Sequence, residues 1–144
     1  MKVDVAVVQM DCVLGDKPAN LARIERLARD AGDRSASSPQ AEGHRLIVFP
    51  ECATTGYFVG DQARELAEPK DGPTSEHLAD LAATIGAHLA VGLIESDGPD
   101  VFDALALYSP QDGLIGMYRK VHLFASEKAV FAVGQTPCLV DTDF

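Results

Sequence analysis

The chain has 144 residues, of which 47% are hydrophobic and 24% charged, as in one ordinary globular domain. Its formal net charge of −10 argues against nucleic acid and anionic lipid as partners, because both are bound mainly through Lys and Arg. No apolar run approaches the roughly 20 residues that span a bilayer, and Val3 to Val8 is too short and polar for an export signal. Three widely spaced cysteines argue against a disulfide framework. These features favour a cytoplasmic protein that acts on a small molecule.

The first part of the chain alternates buried strands with a helix. Val3 to Gln9 is a β-branched apolar run and predicts a strand. A helix is predicted from about Lys17 to Gly32, with Asp16 as its cap. Asp33 to Gly43 is polar and small, which is typical of a surface loop. Leu46 to Phe49 predicts a second buried strand.

The second part predicts one helix, a strand and a hairpin. The hairpin is indicated by the turn sequence SPQDG between two apolar runs. The predicted elements are a helix from about Thr74 to Ala87 capped by Thr74 or Ser75, then strands at His88 to Ile94, Ala104 to Tyr108, Leu114 to Tyr118 and Pro137 to Val140. This order predicts an α/β domain in which helices cover a sheet.

Glu51 is the first candidate for chemistry. It follows an apolar strand and Pro50 directly. Ligands in α/β sheets usually bind beyond the carboxyl ends of the strands, so Glu51 lies where chemistry tends to occur. An ordinary solvated loop carboxylate is the competing interpretation.

Lys120 and Glu127 are the second pair of candidates. Lys120 follows a strand of the predicted hairpin, and Glu127 lies further along the chain. A lysine near two carboxylates can present a fixed positive charge to a developing oxyanion. A basic patch that pairs with surface acids is the competing interpretation. The histidines and cysteines have no metal-ligand spacing, so no zinc site is predicted.

Several segments occur together in a characteristic order. They are Ala6 to Gln9, Asn20, Phe49-Pro50-Glu51, Gly56-Tyr57, Asp71-Gly72-Pro73, Val91-Gly92, Tyr118-Arg119-Lys120-Val121-His122-Leu123-Phe124 and Glu127. This string resembles the nitrilase superfamily of carbon–nitrogen hydrolases along almost the whole chain, and it is most similar to the amidase branch.

The resemblance implies an α/β fold that is part of an α-β-β-α sandwich, with residues 1–144 as a partial carbon–nitrogen hydrolase domain. It also implies assembly into homo-oligomers, dimers or larger. The implied activity is hydrolysis of a non-peptide amide or nitrile bond by a Glu-Lys-Cys mechanism, without a metal or an organic cofactor. By position in the motifs, Glu51 corresponds to the general base, Lys120 to the catalytic lysine and Glu127 to the supporting glutamate.

The nucleophile is the main departure from the family pattern. In the family the cysteine lies beyond the lysine, in a stretch like Ile-Cys-Tyr-Asp, and this sequence ends at Phe144 before such a stretch. Cys12 lies in an early loop and Cys138 lacks matching neighbours. Cys52 directly follows Glu51, so we expect it to be a small buried residue. We therefore expect a chain truncated before the nucleophile strand and inactive by itself.

Asp103 is a smaller departure, because the family often has asparagine there, and it would alter a turn hydrogen bond. Two other interpretations stay open. The chain could be a non-catalytic binding or assembly module that keeps the fold, or a split protein whose nucleophile lies on a separate chain. An Ile-Cys-Tyr-Asp-like stretch in the reading frame beyond Phe144 would favour the enzyme.

Overall fold

The computed structural model describes residues 3–36, 44–142 and 144. These residues form a five-stranded sheet in the order β1-β2-β3-β4-β5. The strands are β1 (Val3–Val7), β2 (His44–Val48), β3 (His88–Asp97), β4 (Asp100–Ser109) and β5 (Gly113–Arg119). The helices are α1 (Lys17–Ala36), α2 (Ala63–Leu66) and α3 (Pro73–Ile85), with 3-10 turns at Gly60–Gln62 and Ala125–Ala129. None of the helices in this described part is both long and apolar enough to span a bilayer.

Strand pairing divides the sheet into a parallel part and a hairpin part. β1, β2 and β3 run parallel, so each pair needs a crossover, which contains α1 or α3. β3, β4 and β5 are antiparallel. Gly98 and Gly113 adopt φ of 55° and 68° at the two hairpin turns, a left-handed conformation that glycine tolerates at no steric cost. The predicted α/β fold is confirmed.

The two faces of the sheet differ in what covers them. The first face packs on α1 and α3, and its buried core includes Ile24, Ile47, Leu78, Leu81, Leu89, Val91 and Tyr108. The second face carries Val5, Val7 and Leu105, which are 56%, 81% and 39% exposed. Side chains alternate along a strand, so Val5, Val7 and Leu105 all point to the same side of the sheet, which we call the open side. The ends of β4 and β5 also present side chains to this side.

Helix α1 is longer than predicted. It starts as expected, since the Asp16 side chain accepts a hydrogen bond from the Ala19 amide at 3.0 Å. Gly32 does not end it, and the helix continues to Ala36. A Cβ at Gly32 would lie 3.8 Å from Ile85 Cβ, so this buried glycine packs against α3 inside the helix. Residues 33–36 of the predicted loop are therefore helical, and residues 37–43 lie outside the described residues.

The start of α3 also differs from the prediction. The helix begins at Pro73 with Gly72 at the N-cap position, so the prediction of Thr74 or Ser75 as the cap was wrong. The Thr74 amide and hydroxyl donate instead to the carboxylate of Glu68, at 2.7 and 2.8 Å. A side chain outside the helix thus satisfies a free N–H of its first turn.

The predicted strand at Pro137 to Val140 is absent, because this segment has no regular secondary structure. The segment before it follows the sheet through isolated backbone bonds, as when the Gly134 amide donates to the Lys120 carbonyl at 2.9 Å. Val140 then lies over Gly116, where an added Cβ would come within 2.5 Å of Val140 Cγ2. The segment thus has the apolar composition of a strand without strand pairing, and Leu139 is 98% exposed.

Candidate active site

Glu51 lies on a tight turn that is pressed against β3. This close approach requires a glycine at position 92, because a Cβ there would lie 2.4 Å from the Pro50 carbonyl oxygen and 2.7 Å from Glu51 Cα. Cys52 follows with φ of 48°, a left-handed conformation that is costly for a residue with a side chain. The residues after Glu51 are buried, whereas the Glu51 side chain is 43% exposed. The turn therefore directs the carboxylate out of the protein core.

Asn20 connects this turn to the start of α1. Its side chain is fully buried. The Oδ1 atom accepts from the Val13 amide at 2.7 Å, and Nδ2 donates to the carbonyls of Val13 and Thr54 at 2.8 and 3.2 Å. The family resemblance included this asparagine, and these contacts give it a structural purpose, since it satisfies backbone groups of two loops at once.

Strand alternation separates Arg119 from Lys120 in the Tyr118-Arg119-Lys120 motif. Arg119 pairs with Ala104 across the hairpin and belongs to the helix-covered side. Its guanidinium donates to both oxygens of buried Glu95 at 2.7 Å. Lys120 comes directly after β5 and points to the open side, so these two adjacent cations have different environments.

The ammonium of Lys120 lies among three carboxylates. Nζ is 2.5 Å from Glu51 Oε1, 2.8 Å from Glu127 Oε1 and 3.5 Å from Asp103 Oδ2. The side chains of Glu127 and Asp103 are each 4% exposed, and that of Lys120 is 25% exposed. Carboxylate oxygens within 4.8 Å of one another can hold a cation, and the cation that lies among them here is Lys120 itself. The structure therefore brings the three predicted site residues into direct contact.

Glu127 is held as a fixed anion. Its Oε2 accepts from the Phe124 amide at 2.6 Å, and its Oε1 accepts from the Tyr57 hydroxyl and from Lys120. Burial opposes ionisation, but these hydrogen bonds outweigh it and lower the pKa of Glu127 to about 2. Ala125 nearby adopts φ of 41°, so this second segment of the site also contains a strained non-glycine residue.

The two side chains that donate to Glu127, those of Lys120 and Tyr57, both have raised pKa values. Desolvation would lower the pKa of Lys120, but its hydrogen bonds to Glu127 and Glu51 raise it overall, so the ammonium stays charged. The hydrogen bond to Glu127 raises the pKa of Tyr57 to about 12, so its hydroxyl stays a donor. The result is one permanent cation beside one permanent anion.

Asp103 and Tyr57 belong to the cluster although the sequence prediction did not place them there. From the sequence, Asp103 is a departure that alters a turn hydrogen bond, and Tyr57 is part of the Gly56-Tyr57 segment. The sequence signal for Asp103 is the hairpin, which brings it near the end of β5, where the Lys120 amide donates to its carbonyl at 2.9 Å. The sequence contains no comparable signal for Tyr57, because it lies in a loop and strand pairing does not predict the neighbours of a loop residue.

The three cysteines differ in exposure. Cys52 is fully buried, and its thiol contacts Asp103 Oδ1 at 3.8 Å. Burial, and then the charges of Asp103 and Glu51, raise the pKa of Cys52 well above its ordinary value, so the thiol keeps its proton. Cys12 is half-buried, and burial raises its pKa as well, whereas Cys138 is exposed. Because the thiolate is the nucleophile, Cys52 is poorly suited to attack a substrate.

The cluster opens into a cavity of about 390 Å³ on the open side of the sheet. Glu51, Asp103 and Lys120 lie in its lining together with Leu105 and Tyr118. A larger cavity of about 540 Å³ lies between β1 and α1, and its lining includes no residue of the cluster. The smaller cavity is therefore the candidate substrate site, because it combines an apolar wall with convergent charged groups.

Comparison with known proteins identifies similar chains. The family model for carbon-nitrogen hydrolases matches residues 4–143. A nitrilase of Pyrococcus abyssi is 33% identical over 135 residues, which cover 92% of this chain and 48% of that protein. An omega-amidase of Danio rerio is 32% identical over 124 residues, which cover 85% of this chain and 41% of that protein. The chain thus spans about half the length of the curated relatives it matches.

Solved structures have a similar fold. A CN-hydrolase superfamily protein of Xanthomonas campestris, which has an arsenic adduct in its active site, aligns with a TM-score of 0.74 at 26% identity, covering 92% of this chain and 46% of that one. An amidase from Nesterenkonia sp. aligns with a TM-score of 0.77 at 24% identity, covering 92% and 48%. The second likeness concerns the fold alone.

Proposed function

This chain belongs to the carbon–nitrogen hydrolase family, and we propose that it contributes Glu51, Lys120 and Glu127 to the hydrolysis of a small amide or nitrile. The observation that carries the proposal is the ammonium of Lys120 between two glutamates, at 2.5 and 2.8 Å, beside a cavity. The relatives named as a nitrilase and an omega-amidase support this substrate class.

The chemistry needs a base, an anion-stabilising charge and a thiol. Glu51 is the proposed base, because it is the exposed carboxylate of the cluster and can take the proton of a thiol. Attack of the thiolate on an amide carbon builds negative charge on oxygen, which Lys120 stabilises. Glu51 returns the proton as ammonia leaves. It then removes a proton from the water that hydrolyses the thioester and gives that proton to the departing thiolate. Atoms and protons balance without a metal or a redox step.

Glu127 supports this arrangement without exchanging protons. Its hydrogen bonds from Tyr57 and the Phe124 amide fix the carboxylate, and the carboxylate fixes Lys120. A charge that is oriented before the reaction needs no reorganisation when the oxyanion forms.

The proposed nucleophile is a cysteine other than Cys12, Cys52 and Cys138.

One observation favours the second candidate function, a binding or assembly module. The thiol that contacts the cluster among the described residues is that of Cys52, and it is buried and protonated. A chain with this cluster and no further thiol would bind a small amide without turnover.

The proposal is tested by measuring ammonia release from a panel of simple amides and nitriles. The assay is run on the 144-residue chain and on the protein as its complete gene encodes it. We expect turnover from the complete product and none from the isolated chain. Binding of amides without turnover by both would favour the module. Turnover by the isolated chain would require Cys52→Ala and Cys138→Ala variants to find the attacking thiol. Size-exclusion chromatography of the same samples tests the proposed homo-oligomer.

A further inference from the structure

Asp103 has no role in the mechanism above, yet it is buried beside its main groups. Its side chain is 4% exposed and lines the same cavity as Glu51 and Lys120. Its Oδ1 atom contacts the thiol of Cys52 at 3.8 Å. Its Oδ2 atom has no hydrogen-bond partner within the described ranges, although Lys120 Nζ lies 3.5 Å away. A buried oxygen without a partner is costly, so the protonation state of this carboxyl needs a physical account.

The charges around Asp103 disfavour its ionised form. Glu51 faces it from the turn after β2, and Lys120 faces it from the end of β5. Glu127 also contacts Lys120, at 2.8 Å. The exposed His122 lines the same cavity. If all three carboxylates were ionised, one ammonium would have to balance three anions in a partly buried site. Like charges that share a site do not all ionise together.

The titration behaviour of the two buried acids supports this asymmetry. Burial, and then hydrogen bonding to Glu51 and the charge of Glu51, raise the pKa of Asp103 to about 7, against the opposing effect of Lys120. Glu127 is equally buried, but its donors lower its pKa to about 2. The difference follows from geometry, because the Glu127 carboxylate receives three donors. The Asp103 carboxylate receives the Cys52 thiol on Oδ1, and its Oδ2 receives no donor among the described residues.

We propose that Asp103 and Glu51 share one proton, which Asp103 carries in the resting site, so that Asp103 is a positioning residue for the base. The Oδ2 hydroxyl then donates to the Glu51 carboxylate, which gives the orphaned oxygen a partner. Glu51 stays ionised beside Lys120 and free to accept a proton. The effect on turnover rests on the proposed hydrolase function, whereas the shared proton does not.

Ionisation of Asp103 changes the site in a defined direction. A third anion, beside Glu51 and Glu127, then lies 3.5 Å from Lys120 and competes for its positive charge. Less of that charge remains for a developing oxyanion, so turnover should decline as pH rises through about 7, the pKa of Asp103. An uncharged residue at this position should not show that decline.

The first test is a pH titration of the side-chain carboxyl carbons by NMR in the unliganded chain, with Asp103→Asn, Glu51→Gln and, as control, Asp80→Asn on the exposed side of α3. We expect one aspartate carboxyl with a midpoint near pH 7, lost in Asp103→Asn and retained in Asp80→Asn. Glu51→Gln should lower that midpoint, because it removes the neighbouring charge. If Asp103→Asn does not fold, the Glu51→Gln titration decides alone.

The proposal is overturned if every aspartate titrates in its ordinary range, or if the neutral-range midpoint persists in Asp103→Asn or is unmoved by Glu51→Gln. The second test is the pH dependence of ammonia release by the complete gene product. The wild type should lose activity above about pH 7 while Asp103→Asn keeps it. Identical pH profiles would exclude the positioning role. Because the NMR titration needs no substrate, absence of turnover would count against the hydrolase proposal and leave the shared proton tested.

Discussion

Replacing Arg119 with methionine should destabilise the fold without touching the proposed chemistry. Glu95 is 2% exposed, and both of its oxygens accept from the Arg119 guanidinium at 2.7 Å. Removing one partner of a buried ion pair typically costs about 3–5 kcal/mol, because the other charge stays buried and unpaired. Arg119 also lies 4.0 Å from the centre of the Phe102 ring, a cation–π contact of about 0.5–1 kcal/mol. The Arg119 side chain is 31% exposed, which allows water to reach the site, so we expect about 3 kcal/mol in total.

Urea-induced unfolding at pH 7 measures this loss in the free energy of unfolding. Arg64→Met on α2 is the matched control, because Arg64 is exposed, and its change should stay within about 0.5 kcal/mol. A double variant, Arg119→Met with Glu95→Leu, should recover part of the loss, since it removes the unpaired carboxylate. If Arg119→Met is no less stable than Arg64→Met, the reasoning about the buried pair is refuted.

Three further predictions concern the supports of the site. Gly92→Ala should push the turn of Glu51 away and cost about 1–3 kcal/mol by overpacking, measured by the same unfolding assay, and an unchanged stability would contradict the close approach. Asn20→Ala should cost about 2–3 kcal/mol because it leaves buried backbone groups unsatisfied, and a loss below that of an exposed control would argue against its bridging role. The lowered pKa of Glu127 stabilises the fold fully above its ordinary value of 4.5, and this contribution is lost as pH falls towards about 2. Unfolding at several acidic pH values should therefore show a smaller loss for Glu127→Gln than for the wild type.

The register of the β4–β5 hairpin shows where sequence reasoning reaches its limit. The turn sequence predicted the hairpin correctly, with Ser109 paired to Gly113. An unbroken hairpin from that pair would place Arg119 opposite Asp103. A register shift between Leu107 and Tyr108 places Lys120 there instead. Since one residue of slip moves a side chain to the other face, the identity of the cation in the site depends on an irregularity that the sequence pattern does not encode.

The sequence rules for helix ends failed at the end of α1 and at the start of α3, where contacts with residues outside the helix determine the structure. The glycine rule predicted that α1 ends at Gly32, but the helix continues to Ala36, and Gly32 packs against Ile85 of α3 inside it. The capping rule predicted Thr74 or Ser75 as the cap of α3, but the carboxylate of Glu68, in the segment just before the helix, accepts from the Thr74 amide instead. Glu51, by contrast, was placed correctly after its strand, because a strand end is a local feature. The grouping of Glu51 with Lys120 and Glu127 came from the family resemblance, since spacing along the chain does not bring them together.

The most direct test of the account is the specificity constant for ammonia release by Lys120→Met in the complete gene product, compared with Lys128→Met. Lys128 is exposed in the 3-10 turn Ala125–Ala129 and lies outside the cluster. We predict a loss of at least about 100-fold for Lys120→Met, the usual effect of removing an oxyanion-stabilising group, with no significant change for Lys128→Met. Equal activity of the two variants would contradict the claim that the ammonium between Glu51 and Glu127 stabilises the reacting anion.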